Sequence, residues 1–164
     1  MNSGLDRIDF GILAALQKNA RASNKELAAT VGLAQSSCHT RLRRLQEMGA
    51  VRAMRAELEP SVVGIGLQAF VFVRLLAHDR ESVLSFRNHA VSLREVVGLF
   101  HVAGRFDFIL HLAVRDADHL RDVAMDAFTA RPEVAQLETH LLFEVAHGEL
   151  PIYSSDLVGQ SQAG

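Results

Sequence analysis

Cysteine is nearly absent. Cys38 stands alone among 164 residues, which excludes an internal disulfide and any thiolate-rich zinc site built within one chain. No apolar run approaches the ~18 uninterrupted residues that a membrane span needs. The start, Met1-Asn2-Ser3-Gly4-Leu5-Asp6, lacks the basic patch and following apolar stretch of a secretory signal. No 20–50-residue repeat and no low-complexity segment is present. What remains is ordinary for a globular chain, with 49% apolar and 22% charged residues, enough for one domain or two small ones. These exclusions predict a cytoplasmic globular protein that has no membrane partner.

Lysine is also scarce: fifteen of the seventeen basic residues are arginine, the side chain better suited to forked contacts with phosphate or guanine. The net charge of −2 hides an asymmetry. Residues 1–60 hold nine Lys/Arg against six Asp/Glu, whereas residues 61–164 hold eight against thirteen. A basic first third on an acidic remainder is compatible with nucleic acid, because charge acts domain by domain.

The first third reads as three helices. Asp6, with Asp9 three residues on, caps and charge-stabilises a helix start, and Leu5, Ile8, Ile12, Leu13 and Leu16 follow as one helical stripe. Ser23-Asn24-Lys25-Glu26 has the spacing of a capping box. Leu27, Ala28 and Val31 form the buried side of a short second helix, and Gly32 supplies a tight turn. A third helix is expected from about Ala34 to Met48, closed by Gly49. A short helix, a glycine turn and a longer helix make a helix-turn-helix pattern.

On the third helix, Cys38, Leu42 and Leu45 cluster on one side and are expected to face the first two helices. The small buried hydrophobe is the better reading of Cys38 than a redox switch. The opposite side presents Ser36, Ser37, Thr40, Arg43, Arg44 and Glu47, with His39 and Arg41 on the flanks and Gln35 at the helix start. Small hydroxyls near a helix start permit close approach to base edges in a major groove, and arginines further along reach phosphate or guanine. Gln35, Ser36, Ser37, Thr40, Arg41, Arg43 and Arg44 are the expected contacts to double-stranded DNA.

The period changes beyond Glu59-Pro60. Val51–Leu58 is expected as a strand or wing and Ser61–Gly66 as a hinge. Then come a β-rich run Leu67–Ala77, a helix Arg80–Val91, two strands Arg94–Ala103 and Phe106–Val114 joined at Gly104-Arg105, a helix Asp116–Arg131 stopped by Pro132, and a strand Val134–Val145. That order predicts an α+β chain: a winged helix-turn-helix followed by a ferredoxin-like βαββαβ domain. The expected divisions are residues 1–60 for DNA binding, 61–66 as linker, 67–153 for sensing and oligomerisation, and a flexible tail at 154–164. Both faces of the first strand are apolar, with Phe70, Phe72 and Leu76 opposite Leu67–Leu75, and Phe106 is expected on the same side as Phe108. A second apolar sheet face predicts a two-fold homodimer.

From Leu5 to about Tyr153 the sequence resembles the Lrp/AsnC family of bacterial and archaeal transcription regulators. The resemblance is carried by Leu5-Asp6-Arg7-Ile8-Asp9, Ser23-Asn24-Lys25-Glu26-Leu27-Ala28, Val31-Gly32-Leu33, Cys38-His39-Thr40-Arg41-Leu42-Arg43-Arg44-Leu45, and His101-Val102-Ala103-Gly104-Arg105-Phe106-Asp107-Phe108. It implies a DNA-binding regulator with no cofactor and no catalytic or metal residues, assembling as a dimer or further to an octamer, and sensing an amino acid or related metabolite. It places the effector at the Gly104 turn. Gly104 and Asp107 are the first residues expected there, followed by Arg105, His101 and Val102, with Thr139 on the last strand a distant addition. Physically, free N–H groups at such a turn suit a carboxylate, while Asp107 either meets an ammonium group or caps its own turn. Two departures stand out: Ala34 where the family usually has serine, and Arg105 in the second place of the sensing turn, either a carboxylate partner or a solvated residue. Two rival readings are an effector-independent architectural DNA coat and a siroheme-decarboxylase-like enzyme. Eight histidines scattered at 39, 78, 89, 101, 111, 119, 140 and 147 lack metal-ligand spacing and do not favour the enzyme.

Overall fold

A computed structural model describes residues 4–153; the tail expected at 154–164 lies outside the described residues. The chain forms two compact units. One holds the residues up to Glu57 together with the segment that starts at His147, and the other is Leu58–Ala146.

In the first unit, α1 (Arg7–Lys18), α2 (Asn24–Val31) and α3 (Gln35–Glu47) follow one another. The Asp6 side chain accepts from the Ile8 and Asp9 N–H groups, and Asp9 accepts from the Asp6 N–H, so two aspartates close the capping box of α1. Ser23 and Glu26 close the same box on α2, with reciprocal bonds of 3.2 and 2.7 Å. Gly32, at φ +69°, ends α2 in the left-handed conformation that glycine adopts without steric cost. Ile12, Leu16, Leu27, Ala28, Cys38 and Leu45 form the buried core, with Leu42 partly buried against it. Burial pushes the Cys38 thiol above its ordinary pKa, opposite to what a reactive thiolate needs. The Gln17 side-chain amide pairs with the Leu150 backbone in both directions, at 3.1 and 2.8 Å, which anchors the returning segment.

The second unit is a four-stranded antiparallel sheet. It is built from β1 (Leu67–Leu75), β2 (Val96–His101), β3 (Phe108–Val114) and β4 (Val134–Leu142) in the order β2-β3-β1-β4. With α4 (Arg80–Ser92) after β1 and α5 (Ala117–Asp122) after β3, this is the expected βαββαβ topology. Ala69, Val71, Val73 and Leu75 alternate with Phe108, Leu110, Leu112 and Val114 on the face covered by Phe86, Ala90, Leu120 and Phe128 of the helices. Phe86 meets Phe108 and Phe128 at 5.0 and 6.1 Å between ring centres. The other face carries Phe70, Phe72, Ile109 and Phe100, the last 52% exposed.

Several local expectations differ from the structure. Residues 51–58 carry no strand, because no neighbour among the described residues offers them a ladder. The segment read as a hinge is ordered: Pro60–Val63 forms a 3₁₀ turn capped by Glu59, and Gly66 donates to the Val114 carbonyl at 3.1 Å. The helix read over 116–131 stops at Asp122 and continues as a π-helix, Val123–Thr129. Phe106 precedes β3 rather than belonging to it, and its ring packs on Phe72 at 5.4 Å, so it joins the uncovered face instead of the side that holds Phe108. Leu76 lies beyond the end of β1 and is exposed.

Candidate nucleic-acid interface and effector turn

Helix α3 turns its apolar stripe inward and leaves Gln35, Ser36, Ser37, Thr40, Arg43 and Arg44 exposed. Ala34 stands at its N-cap and makes no side-chain bond; neither Gln35 nor Ser36 replaces the missing cap. The Thr40 hydroxyl donates back to the Ser36 carbonyl at 3.1 Å, and Arg43 pairs with Glu47 one turn on at 2.8 Å. The start of α3 is tied to α2 through the Asn24 amide, which donates to the Gln35 carbonyl at 2.8 Å.

Arg41 and Arg44 turn toward α1. Arg41 donates to Asp6 at 2.6 Å and to Asp9 at 2.9 Å, and Arg44 also bonds Asp9. Asp9 is fully buried, and a buried carboxylate is tolerated only when paired. Sequence reading gave Asp6 and Asp9 to helix capping alone and missed this second duty. The available signal was the matched spacing: two acids three residues apart on one helix and two arginines three apart on another.

In the second unit, the hairpin between β2 and β3 is closed by the Val102 N–H donating to the Asp107 carbonyl at 2.9 Å. Gly104 sits at φ +135° with no atom within 4 Å of where a Cβ would stand, so its backbone is open to a ligand. Asp107 is engaged inside the fold. Its carboxylate accepts from the Leu75 N–H at 2.8 Å, where the β1–β4 register shifts, and meets His78 Nδ1 at 2.7 Å. His78 was not legible as a partner, because nothing in its sequence context marks it. Arg105 lies over the Phe106 ring at 5.2 Å and pairs with Glu138 at 2.9 Å. The His101 ring stacks on Phe108 at 4.8 Å. His101, Val102, Gly104, Arg105 and Asp107 therefore gather at one hairpin. Thr139 does not join them: it is on β4 opposite Val71, on the helix-covered side, whereas Glu138 faces Arg105 on the other.

A winged helix-turn-helix DNA-binding model matches residues 5–52, and the Lrp/AsnC ligand binding domain matches residues 68–148. The chain belongs to the Lrp/AsnC family of transcription regulators. The HTH-type transcriptional regulator AldR of Mycolicibacterium smegmatis is 42% identical over 90% of this chain and 86% of its own length. The leucine-responsive regulatory protein of Rhizobium meliloti is 34% identical over 84% of this chain and 88% of its own length. A transcriptional regulator from Neisseria meningitidis, crystallised in complex with L-Met, superposes with a TM-score of 0.83 at 30% identity, covering 90% of this chain and 96% of that one. This member of the Lrp/AsnC family is thus a DNA-binding transcription regulator with a ligand-binding domain, and its curated relatives are named as regulators rather than enzymes.

Asp6 gives the first unit an acid limit. Bonds from the Asp9 backbone and Arg41 hold the Asp6 carboxyl below its ordinary value of 3.8. A lowered pKa stabilises the fold fully above the unfolded value and loses that contribution as pH falls through the folded one. Thermal unfolding followed between pH 6 and 2.5 is expected to show the Asp6→Asn variant less stable than wild type above about pH 4. The two curves should converge below that pH; a difference constant with pH contradicts the assignment.

Proposed function

We propose that this regulator binds specific DNA sequences through the outer face of α3 and that a small amino acid, held at the Gly104 hairpin, alters its binding or assembly. The observation that carries the DNA reading is the exposed row Gln35, Ser36, Ser37, Thr40 and Arg43 over the buried Cys38 and Leu45. Small side chains at the start and a guanidinium one to two turns later suit a major groove. The Arg43–Glu47 pair is largely exposed, and surface pairs of this kind are weak, so Arg43 can exchange Glu47 for DNA.

The ligand-binding-domain match and the L-Met complex of the Neisseria relative support an amino acid as the effector class. At the hairpin, the open Gly104 backbone suits its carboxylate and Asp107 its ammonium group, with Arg105, His101 and Val102 around them. A ligand shifts an equilibrium only through unequal affinity for two states, and Asp107, bonded to β1, is where such a difference enters the sheet. The uncovered face with Phe70, Phe72, Phe100 and Ile109 supports a homodimer that buries it.

Three measurements test these readings. A duplex selected from a random pool by the wild-type protein should bind the Arg43→Ala variant about tenfold more weakly or worse, the loss of one forked contact. Equal affinity for selected and scrambled duplexes would instead favour an architectural coat. In a thermal-shift screen of the twenty amino acids, at least one is expected to raise the unfolding temperature by mass action. The near-isosteric Asp107→Asn variant, whose Oδ1 can still accept from the Leu75 N–H, should lose that shift while remaining folded. By light scattering, Phe100→Asp is expected to convert dimers or larger assemblies to smaller species, and unchanged mass overturns the sheet-face interface.

A further inference from the structure

The two arginines that α3 sends toward α1 are not equivalent. Arg41, with 30% of its side chain exposed, holds both Asp6 and Asp9. Arg44 is 51% exposed and, among the described residues, is bonded to Asp9 alone, through Nη2. Asp9 takes Arg41 on one carboxylate oxygen and Arg44 on the other, which also accepts the Asp6 N–H at 3.1 Å. A guanidinium has five donors in a rigid planar fork. Arg44 therefore keeps donors in solvent, one turn beyond Thr40 on the same side of α3, while its Nη2 is bonded to a fully buried carboxylate.

The geometry points to Asp9 as a positioning residue for DNA binding. Its buried carboxylate holds the Arg44 guanidinium so that the free edge meets a backbone phosphate, whereas Arg41 neutralises the aspartates and makes no DNA contact. This rests on the reading of α3 as the DNA-binding helix. Holding a long side chain in its bound rotamer before the partner arrives removes part of the ordering cost of association. The guanidinium then bridges a buried acid on one side and an anion on the other, a geometry that a lysine ammonium, as a point charge, does not reproduce.

The sign of one substitution separates positioning from simple electrostatics. Asp9→Asn removes a negative charge beside the DNA face, so long-range attraction alone predicts tighter binding. Positioning predicts weaker binding, by about three- to tenfold, because Arg44 is released. The experiment titrates a duplex selected by the wild-type protein against Asp9→Asn, Arg44→Ala, the double variant, Arg41→Ala, Arg43→Ala and Arg44→Lys, over a salt series. Thermal unfolding establishes that each variant is folded. Arg44→Ala is expected to weaken binding and to flatten the log–log salt slope by about one unit. Asp9→Asn should weaken it with the slope kept, and should weaken nothing further once Arg44 is gone. Arg41→Ala should leave the slope unchanged.

Asp9→Asn binding as tightly as wild type, or additive losses in the double variant, overturns the proposal. Should Asp9→Asn fail to fold, Arg44→Lys decides: affinity near that of Arg44→Ala supports positioning, and wild-type affinity overturns it. If Arg43→Ala and Arg44→Ala both leave binding intact, the α3 interface itself is wrong and this proposal falls with it. A failure confined to Asp9 leaves that interface standing.

Discussion

A fully buried carboxylate organises the DNA-binding unit. Asp9 has no access to water, and an unpaired charge there would cost several kcal/mol. The fold is stable only if cationic groups come to it, and both come from α3. That requirement fixes how α3 lies against α1, and hence which of its residues remain outside. Cys38 and Leu45 fill the core beneath, so the orientation is set twice, once by apolar packing and once by charge. The same aspartate also completes the capping box of α1, which joins the start of one helix to the outer face of another through a single side chain.

The second unit solves a different problem. Its sheet has one face closed by helices and one left uncovered, where phenylalanines stand among polar residues, and its β2–β3 turn is tied to the strands beside it rather than left loose. Asp107 holds β1 through the Leu75 N–H, and Arg105 reaches β4 through Glu138. Both bonds connect a hairpin tip to strands that are not its own.

Much of this was readable from the chain alone, and the reasons for the misses are physical. The three helices and their caps were legible because Ser23/Glu26 spacing, the Gly32 turn and the Cys38–Leu42–Leu45 stripe are local signals. The βαββαβ order was legible because apolar period changes sharply after Gly66. What escaped depends on distance. Residues 51–58 have strand-like composition, but a strand also needs a partner, and composition does not supply one. The break at Asp122 into a π-helix leaves no glycine or proline as a marker. Phe106 was assigned by alternation from Phe108, yet it belongs to the turn, where alternation no longer holds. Arg41 and Arg44 read as DNA contacts, and their bonds to Asp6 and Asp9 escape that reading because helical periodicity gives direction from the axis and says nothing of what another helix brings there. His78 beside Asp107 is the same kind of case: two side chains 29 residues apart, joined only by the packing of β1 against β3.

The pairing of the Gln17 amide with the Leu150 backbone joins groups 133 residues apart. A ribosome releases the amino end first, and domains generally fold as they emerge. Helices α1 to α3 have their whole apolar core in hand once Val51 has been made, yet the side of α1 that meets Leu150 stays open until Leu150 itself has followed. During that interval the nascent chain carries a formed helical core with one unfinished flank, which a segment made much later completes.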